Sequence, residues 1–184
     1  MLSGVRPLRY SINVSLDGCV DHAAFGRGGT EALHRRAFEN FERNDALLFG
    51  RVTYELMEAG FRAEAESGSD DPFVTTIHTT PKHVVSSTLD HVDWNAELLR
   101  GDLTEGVTRL KEQPGTGVLV GGVRLPLALA ALGLVDEYEL VVHPVVVGRG
   151  PTLLAGLPQV LDLRQVASED LGEGITAVRY APVR

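Results

Sequence analysis

The stretch Thr116-Gly117-Val118-Leu119-Val120-Gly121-Gly122-Val123-Arg124-Leu125 predicts a buried strand, a tight turn and the start of a helix. Glycines at the turn remove the Cβ atoms that would hold a ligand away from the backbone. The free N–H groups of a first helical turn can bind an anion such as a pyrophosphate. Pro126 fits that first turn, because its missing N–H would have no helical partner there. The alternative is that Gly121 and Gly122 only allow the strand and the helix to pack closely.

The charge balance limits the classes of partner. The chain has 184 residues, of which 25 are acidic and 17 basic, so its formal net charge is -8. This charge opposes binding to a polyanion, and no Lys/Arg cluster offsets it locally. We therefore expect neither nucleic acid nor an anionic membrane surface as a partner.

Cysteine use and hydropathy indicate the compartment. Cys19 is the single cysteine, so the chain can form neither an internal disulfide nor a Cys-x-x-Cys site. A signal peptide is not recognisable at the N-terminus, and no apolar run approaches the roughly 18 to 20 residues that a membrane span needs. These features predict a cytoplasmic protein with one domain over residues 1–184.

Strand and helix signals alternate along the chain without a repeat. Apolar runs or period-two patterns predict strands at 7–16, 46–49, 83–87, 98–99, 118–120 and 137–147, the last with a bulge at Pro144. Helices are expected at 31–43, capped by Thr30, from Thr53, at 103–113 and after Gly122. Residues 61–81 are expected to be mostly an exposed connection with at most one short helix, and 160–167 and 175–182 an edge hairpin.

This order predicts an α/β fold with a mixed, mainly parallel central sheet, helices on both faces and a C-terminal antiparallel hairpin. Ligands of such sheets bind at the carboxyl ends of the strands. Four turns should meet there if their strands are parallel, which favours a ligand site over simple packing. They are Asp17-Gly18, Gly50-Arg51, Ser86-Ser87 and Gly121-Gly122. A bound nucleotide is the expected ligand.

Several motifs in this order resemble the dihydrofolate-reductase-like superfamily. They are Ser15-Leu16-Asp17-Gly18, Leu48-Phe49-Gly50-Arg51-Val52-Thr53-Tyr54-Glu55, Val84-Val85-Ser86-Ser87-Thr88-Leu89, Val120-Gly121-Gly122 and Leu134-Val135-Asp136-Glu137-Tyr138-Glu139-Leu140 with Pro144, Gly148 and Gly150. Within the superfamily the chain is most similar to the riboflavin-biosynthesis reductases, meaning the RibD C-terminal domain and its stand-alone relatives. The resemblance covers nearly the whole chain and is weakest over 61–81.

The resemblance implies NADPH (or NADP) as cofactor and hydride transfer to an unsaturated, usually heterocyclic, small-molecule substrate. It places the helix start after Gly50, with Arg51 and Thr53, at the cofactor phosphates. Ser86 and Ser87 match the loop near the adenosine ribose. The second pyrophosphate loop corresponds to Gly121, Gly122, Val123 and Leu125, and the Asp17-Gly18 turn to the flexible loop that borders the nicotinamide.

On the substrate side, an ungapped count back from Gly50 puts His34 where folate reductases carry an acidic proton donor, and Phe38 where an aromatic ring contacts the pterin. The chain thus departs from true folate reductases. A histidine can supply a proton near neutral pH. The alternatives are that His34 is an ordinary surface residue and that Phe38 belongs to the core.

Selection of NADP over NAD needs a cation and hydrogen-bond donors near the 2′-phosphate. Arg51 can provide the cation, and Ser87 and Thr88 the hydroxyl groups, if their two strands are neighbours. The alternative for Arg51 is a surface pair with Glu55 one helical turn later.

Other polar residues carry less chemistry. The six histidines are scattered and lack the zinc-deaminase signature, so no metal site is expected. Neither Ser15, Ser86 nor Ser87 lies in a Gly-x-Ser-x-Gly elbow. Asp136 and Glu137 are interpreted as the polar start of a structural strand.

The sequence therefore predicts an NADPH-dependent reductase, and the alternative is a nucleotide- or pterin-binding protein of the same fold without turnover. A homodimer is also expected, because a strand over 140–147 and the C-terminal hairpin would leave exposed edges in a monomer.

Overall fold

The computed structural model describes residues 5–25 and 31–183, and these contain eight strands and six helices. The strands are β1 (Leu8–Ser15), β2 (Ala46–Gly50), β3 (Lys82–Val85), β4 (Ala96–Leu99), β5 (Val118–Val120), β6 (Glu137–His143), β7 (Leu163–Asp170) and β8 (Thr176–Pro182). The helices are α1 (His22–Phe25), α2 (Glu31–Glu42), α3 (Arg51–Glu66), α4 (Pro72–Thr79), α5 (Leu103–Glu112) and α6 (Arg124–Ala131).

All eight strands belong to one sheet with the order β4-β3-β2-β5-β1-β6-β8-β7. The first six strands in this order pair in parallel, whereas β8 pairs antiparallel with both β6 and β7. This arrangement confirms the predicted fold class, including the C-terminal hairpin.

The period-two pattern of β1 separates the two faces of the sheet. Its even-numbered residues Leu8, Tyr10, Ile12 and Val14 are buried with residues of α5 and α6. On the opposite face, β2, which is separated from β1 by β5, buries Leu47 and Phe49 in a second cluster together with residues of α3 and α4. Each large apolar side chain buried in this way stabilises the fold by roughly 1.5 to 3 kcal/mol, so the sheet is held from both faces.

The structure corrects the expectation for residues 61–81. α3 continues to Glu66, and α4 follows with Val74 and Ile77 buried against the sheet. Asp71 caps α4, because its carboxylate accepts a hydrogen bond of 2.8 Å from the N–H of Phe73. The Asp-Asp-Pro sequence that suggested a loop is therefore the start signal of a helix.

The expected long strand over 137–147 is also corrected. β6 ends at His143, and Val145 N–H instead donates to the His143 carbonyl across a turn at Pro144. β8 covers one side of β6, so β6 is an internal strand and leaves no exposed edge. In the stretch expected to be a glycine-rich loop, α1 forms a short helix, while Gly26, Gly28, Gly29 and the proposed cap Thr30 lie outside the described residues.

A buried polar network fixes α2 to the sheet. Arg36 of α2 forms an ion pair with Glu139 of β6, and both residues are at least nine-tenths buried. Asn40, one turn further along α2, donates to the same carboxylate, and Ser11 of β1 donates to it at 3.1 Å. Because these groups satisfy one another, α2 has a single favourable position on β1 and β6.

We expect Arg36→Met to reduce the free energy of unfolding by roughly 3 to 5 kcal/mol, because it leaves the Glu139 carboxylate buried without its cation. Urea unfolding followed by circular dichroism measures this change. The double variant Arg36→Met/Glu139→Met should recover most of the loss, since the uncompensated charge is gone.

Arg35→Met is the matched control on the same helix, because Arg35 is exposed and its pair with Glu39 spans 3.9 Å at the surface. This variant should cost less than about 0.5 kcal/mol. Equal losses for Arg35→Met and Arg36→Met would contradict a special role for the buried pair.

Candidate functional site

Four turns meet at the carboxyl edge of the sheet, as the sequence predicts. They follow β3, β2, β5 and β1, which are consecutive parallel neighbours in the sheet. Gly50 and Val85 are partners in register, so Arg51 and Ser86 leave the sheet at the same level. The edge therefore carries Asp17-Gly18, Gly50-Arg51, Ser86-Ser87 and Gly121-Gly122 side by side.

The two glycine turns after β2 and β5 face one another. A Cβ atom at Gly122 would overlap the Oγ1 atom of Thr53, and one at Gly121 would lie 3.1 Å from the Phe49 ring. A Cβ at Gly50 would lie 3.7 Å from the Cβ of Leu125. The lack of side chains at these glycines therefore lets the backbone of the second turn pack directly against Thr53 and Phe49. Gly122 also has a φ of 94°, which an L side chain rarely adopts.

Tyr10 fixes the second turn from below. Its hydroxyl donates to the Gly122 carbonyl at 3.2 Å, and its ring meets that of Tyr138 edge to face at 6.3 Å. Burial, and secondarily Tyr138, raises the pKa of Tyr10 above its ordinary value, so the phenol keeps its proton and remains a donor.

The helices that begin at these turns have no side-chain caps. Neither Gly50 at α3 nor Val123 at α6 accepts a helical N–H with its side chain. α4 and α5, in contrast, are capped by Asp71 and Asp102. The first turns of α3 and α6 therefore offer N–H donors and the positive ends of two helix dipoles to an anion.

Cations stand at both helix starts. Arg51 pairs with Glu55 at 3.1 Å, and both side chains are almost half exposed. The surface pair with Glu55, which the sequence analysis gave as the alternative role of Arg51, is therefore present in the structure. Such an exposed pair contributes only a few tenths of a kcal/mol. Arg124, which our sequence analysis did not select, is the exposed first residue of α6. Its position directly after the glycine turn is the signal that could have identified it.

The turn after β3 is held by Ser86. The Ser86 Oγ accepts hydrogen bonds of 3.1 Å from the N–H groups of Thr88 and Leu89. Ser87 and Thr88 are exposed. β2 and β3 are neighbours, which is the condition that the sequence analysis set for Arg51, Ser87 and Thr88 to bind one phosphate.

Asp17 is committed to its own loop. Its carboxylate accepts from the Ser15 hydroxyl at 2.6 Å and from the N–H groups of Val147 and Gly148 at 3.1 and 2.6 Å. These hydrogen bonds, led by the one from Ser15, lower the pKa of Asp17 to about 2. Asp17 is therefore an anchor between the turn after β1 and the segment after β6, and it holds no proton to donate at neutral pH.

The predicted substrate residues His34 and Phe38 lie in α2. The His34 side chain is exposed, and its ring lies 6.2 Å from that of Phe73 in α4. Phe38 is half-buried and is not part of the three hydrophobic clusters found among the described residues. The roles of both residues remain predictions.

A histidine pair at the end of β1 was not identified from the sequence. His143 Nε2 lies 2.9 Å from the Asn13 side-chain oxygen, and His22 Nε2 lies 3.2 Å from the Asn13 carbonyl. The Phe25 ring contacts both imidazoles, at 5.9 Å for His22 and 5.3 Å for His143. Burial, and then the nearby His22, lowers the pKa of His143. The period-two pattern of β1 could have placed Asn13 on the polar face, but not beside these two rings.

Other polar groups lie at the opposite edge of the sheet and are structural. Lys82 Nζ donates to the carbonyls of His78 and Thr80 and lies 4.2 Å from the Trp94 ring centroid. Burial lowers the pKa of Lys82 to about 8. Asp136 accepts from the N–H of Leu8 and pairs with Lys111, which agrees with its interpretation as a strand start.

Residues 5–25 and 31–183 contain neither a metal-ligand cluster nor a membrane-spanning helix. No group of three or more His, Cys, Asp or Glu side chains is arranged to hold a metal ion. No helix in these ranges is long and apolar enough to cross a membrane.

Comparison with known proteins identifies the family. The model of the RibD C-terminal domain matches residues 6–177. The chain belongs to the RibD C-terminal domain family. This confirms the resemblance inferred from the motifs. The uncharacterised protein YyaP of Bacillus subtilis is 30% identical over 137 residues, which are 74% of this chain and 73% of that protein.

Solved structures of the same fold include a diaminohydroxyphosphoribosylaminopyrimidine deaminase/5-amino-6-(5-phosphoribosylamino)uracil reductase from Thermotoga maritima. Its TM-score is 0.70 at 18% identity, and the match covers 97% of this chain but only 57% of that one. A dihydrofolate reductase from Enterococcus faecalis in complex with NADP(H) has a TM-score of 0.62 at 13% identity, with 97% and 98% covered. At these identities the matches establish the shared fold of this RibD C-terminal domain.

The contact between Gly122 and Thr53 leads to a test of the glycine turn. We expect Gly122→Ala to reduce the free energy of unfolding more than Gly133→Ala does. Gly133 also has a positive φ, of 68°, but no atom lies within 4 Å of its Cβ position. Gly133→Ala should cost about 1 kcal/mol, and Gly122→Ala roughly 1 to 3 kcal/mol more because Thr53 must move. Equal losses in urea unfolding would show that the two turns are not in contact.

Proposed function

We propose that this RibD C-terminal domain is an NADPH-dependent reductase that transfers a hydride to a small unsaturated heterocycle of the pyrimidine or pterin type. The observation that carries the proposal is the pair of uncapped helix starts, at Gly50 and Val123, which follow bare glycine turns on neighbouring strands. Two such starts side by side suit the two phosphates of a dinucleotide. Family membership and the fold shared with a dihydrofolate reductase that binds NADP(H) support this choice.

The residues present fit the cofactor. Thr53 Oγ1 lies against Gly122, where a Cβ would stand, so its hydroxyl would be available to a phosphate beside the helix starts. Arg51 and Arg124 would add positive charge at the two helix starts, and Ser87 and Thr88 hydroxyl groups beside Arg51. Bound NADPH would supply the hydride, while this chain orients the reactants and excludes water.

A solved structure of the same fold and an exposed apolar side chain suggest the substrate class. The relative from Thermotoga maritima reduces a phosphoribosylaminouracil, and this chain spans 57% of that protein. Leu16 is 63% exposed at the start of the Asp17-Gly18 turn, so it offers an apolar surface to a flat ring at the same edge. We therefore propose a pyrimidine- or pterin-like acceptor.

The alternative is a nucleotide- or pterin-binding protein without turnover. Incubation with NADPH and a panel that includes 5-amino-6-(5-phosphoribosylamino)uracil, 7,8-dihydropterin and 7,8-dihydrofolate separates the two, with loss of NADPH absorbance at 340 nm as the readout. Oxidation of NADPH that depends on one acceptor supports the reductase. Binding of NADPH by calorimetry with no oxidation for any acceptor supports the binder.

Cofactor selection is tested at Arg51. We expect Arg51→Ala to weaken NADPH binding roughly tenfold to a few hundredfold, because two charge-assisted hydrogen bonds to the 2′-phosphate are lost. NADH lacks this phosphate, so its dissociation constant should change little. Calorimetric titration of both nucleotides measures the ratio.

The matched control is Arg109→Ala on α5, since Arg109 forms the same type of exposed pair, with Glu105 at 3.7 Å. Neither dissociation constant should change in that variant. An unchanged NADPH/NADH preference in Arg51→Ala would remove Arg51 from the site, and a wild type that prefers NADH would remove the NADP assignment.

We also propose that the chain forms a homodimer through the C-terminal hairpin. β7 is the edge strand of the sheet, and Val160, Val166 and Val183, in or beside the hairpin, are 87%, 44% and 61% exposed. An edge strand with exposed apolar side chains can pair with a second chain. The proposal rests on the hairpin alone, because β6 is internal.

Light scattering at micromolar concentration should give twice the mass of one chain, and Val166→Glu should give the mass of a monomer. Val5→Glu, at an exposed position before β1, is the control that should remain dimeric. A monomeric wild type would contradict the proposal.

A further inference from the structure

The pairing of β1 leaves a gap at the carboxyl edge of the sheet. β6 pairs with β1 as far as Ser15, whereas β5 pairs with it only as far as Tyr10. Residues 11–15 of β1 therefore have no strand partner on the β5 side within the described sheet, and the Ser15 N–H donates to the Cys19 carbonyl at 3.0 Å instead. The gap lies between the Asp17-Gly18 turn, which continues β1, and the Gly121-Gly122 turn, which continues β5.

His22 stands in this gap. The Pro7 carbonyl accepts from the N–H of Val118 and the Leu8 carbonyl from that of Asp136, so the odd-numbered carbonyls of β1 point toward the β5 side. Successive backbone carbonyls of a strand point to alternate sides, and the Asn13 carbonyl therefore points into the gap. His22 Nε2 is its hydrogen-bond partner there, in place of a strand.

The same contact sets the tautomer of His22. A carbonyl oxygen can only accept, so Nε2 of His22 carries a hydrogen. Nδ1 is then the atom at which the imidazole gains or loses its second proton. The side chain is exposed, so solvent can restore that proton, while Phe25 and the Asn13–His143 pair hold the ring in place.

On this basis, and assuming the proposed reductase function, we propose that His22 faces the reacting ring and donates the proton of the reduction from Nδ1. In the reduction of a C=N bond, the carbon receives the hydride that NADPH supplies, and the nitrogen receives the proton of the His22 imidazolium. The double bond becomes a single C–N bond with a new C–H and a new N–H. The neutral imidazole that remains takes up a proton from water.

The surroundings favour His22 over His34 for this step. His34 packs against Phe73 of α4, whereas His22 contacts β1 directly at the gap. Among the described residues, the titratable and charged side chains near His22 are His143 of β6, across the Phe25 ring, and Asp21 just before α1. Burial, and then the nearby His22, lowers the pKa of His143, whereas the His22 side chain is exposed to solvent.

The first test needs no turnover. Proton NMR follows the pH titration of the histidine Cε1–H signals with saturating NADPH and with saturating NADP⁺, and His22→Gln assigns the His22 signal. Oxidation adds a positive charge to the nicotinamide, so the His22 titration midpoint should be lower by about half a pH unit or more with NADP⁺. His78 and His83, at the amino edge of the sheet, are internal controls with equal midpoints in both complexes.

The second test uses NADPH and 5-amino-6-(5-phosphoribosylamino)uracil. We expect kcat of the wild type to rise as pH falls through the His22 midpoint, because the protonated imidazole is the donor. His22→Gln keeps a donor to Asn13 but cannot titrate. It should lose roughly a hundredfold in kcat and the rise at acid pH, with NADPH affinity within about twofold of wild type. His91→Gln, at an exposed site, should retain the wild-type profile.

The outcomes separate the two proposals. Absence of NADPH binding in calorimetry would overturn the reductase function itself. NADPH binding with the same His22 midpoint in both complexes would overturn the position of His22 at the reacting ring. A changed midpoint together with an unchanged pH profile in His22→Gln would overturn its role as the donor.

Discussion

The unequal pairing of β1 with its two neighbours is the constraint on which the candidate site depends. β1 has eight residues and β5 has three, so a ladder that is complete on the β6 side stops after Tyr10 on the other. Exposed backbone groups at such a step need partners, and His22 supplies one of them. A longer β5 would pair the rest of β1 and close the space between the two turns. The shortness of β5 thus leaves the Asn13 carbonyl without a strand partner and lets the His22 ring bind there.

The network around Glu139 determines what lies across this space. α2 carries His34 and Phe38, and its position depends on Arg36 and Asn40, which both reach the Glu139 carboxylate of β6. A purely apolar contact between α2 and the sheet would permit small rotations of the helix, because dispersion contacts have little directionality. A carboxylate shared by two donors of the helix does not permit such rotations, because each hydrogen bond must keep a favourable donor–acceptor angle. The structure therefore combines an open edge at β1 with a fixed helix opposite it.

The signals that could be read from the sequence are local ones. Gly50, Gly121 and Gly122 follow short apolar runs. An apolar run that predicts a strand and a glycine that predicts a turn each depend on a few neighbouring residues, so the strands, the turns and their common edge were predictable. The bounds of α4 could not be assigned because Asp71-Pro72 favours a loop as well as a helix start, and burial of Ile77 decided between them. The pair His22 and His143 was missed because it depends on the register of β1 with β6 and on where β5 ends. Neither the register nor the end of β5 can be inferred from a short stretch of sequence.

Net charge and local charge act over different distances at this site. The formal charge of -8 would repel an anionic nucleotide at long range, but at physiological ionic strength the screening length is only about 8 Å. The N–H groups at the starts of α3 and α6 and the cations Arg51 and Arg124 lie within that distance of any phosphate bound at the turns, so they are screened least. Lys82 and the Arg36–Glu139 pair do not contribute, because the first is at the amino edge and the second is neutral as a pair. Affinity for an anion would therefore be set by two helix starts and two guanidinium groups, whereas added salt would screen the long-range repulsion from the net charge.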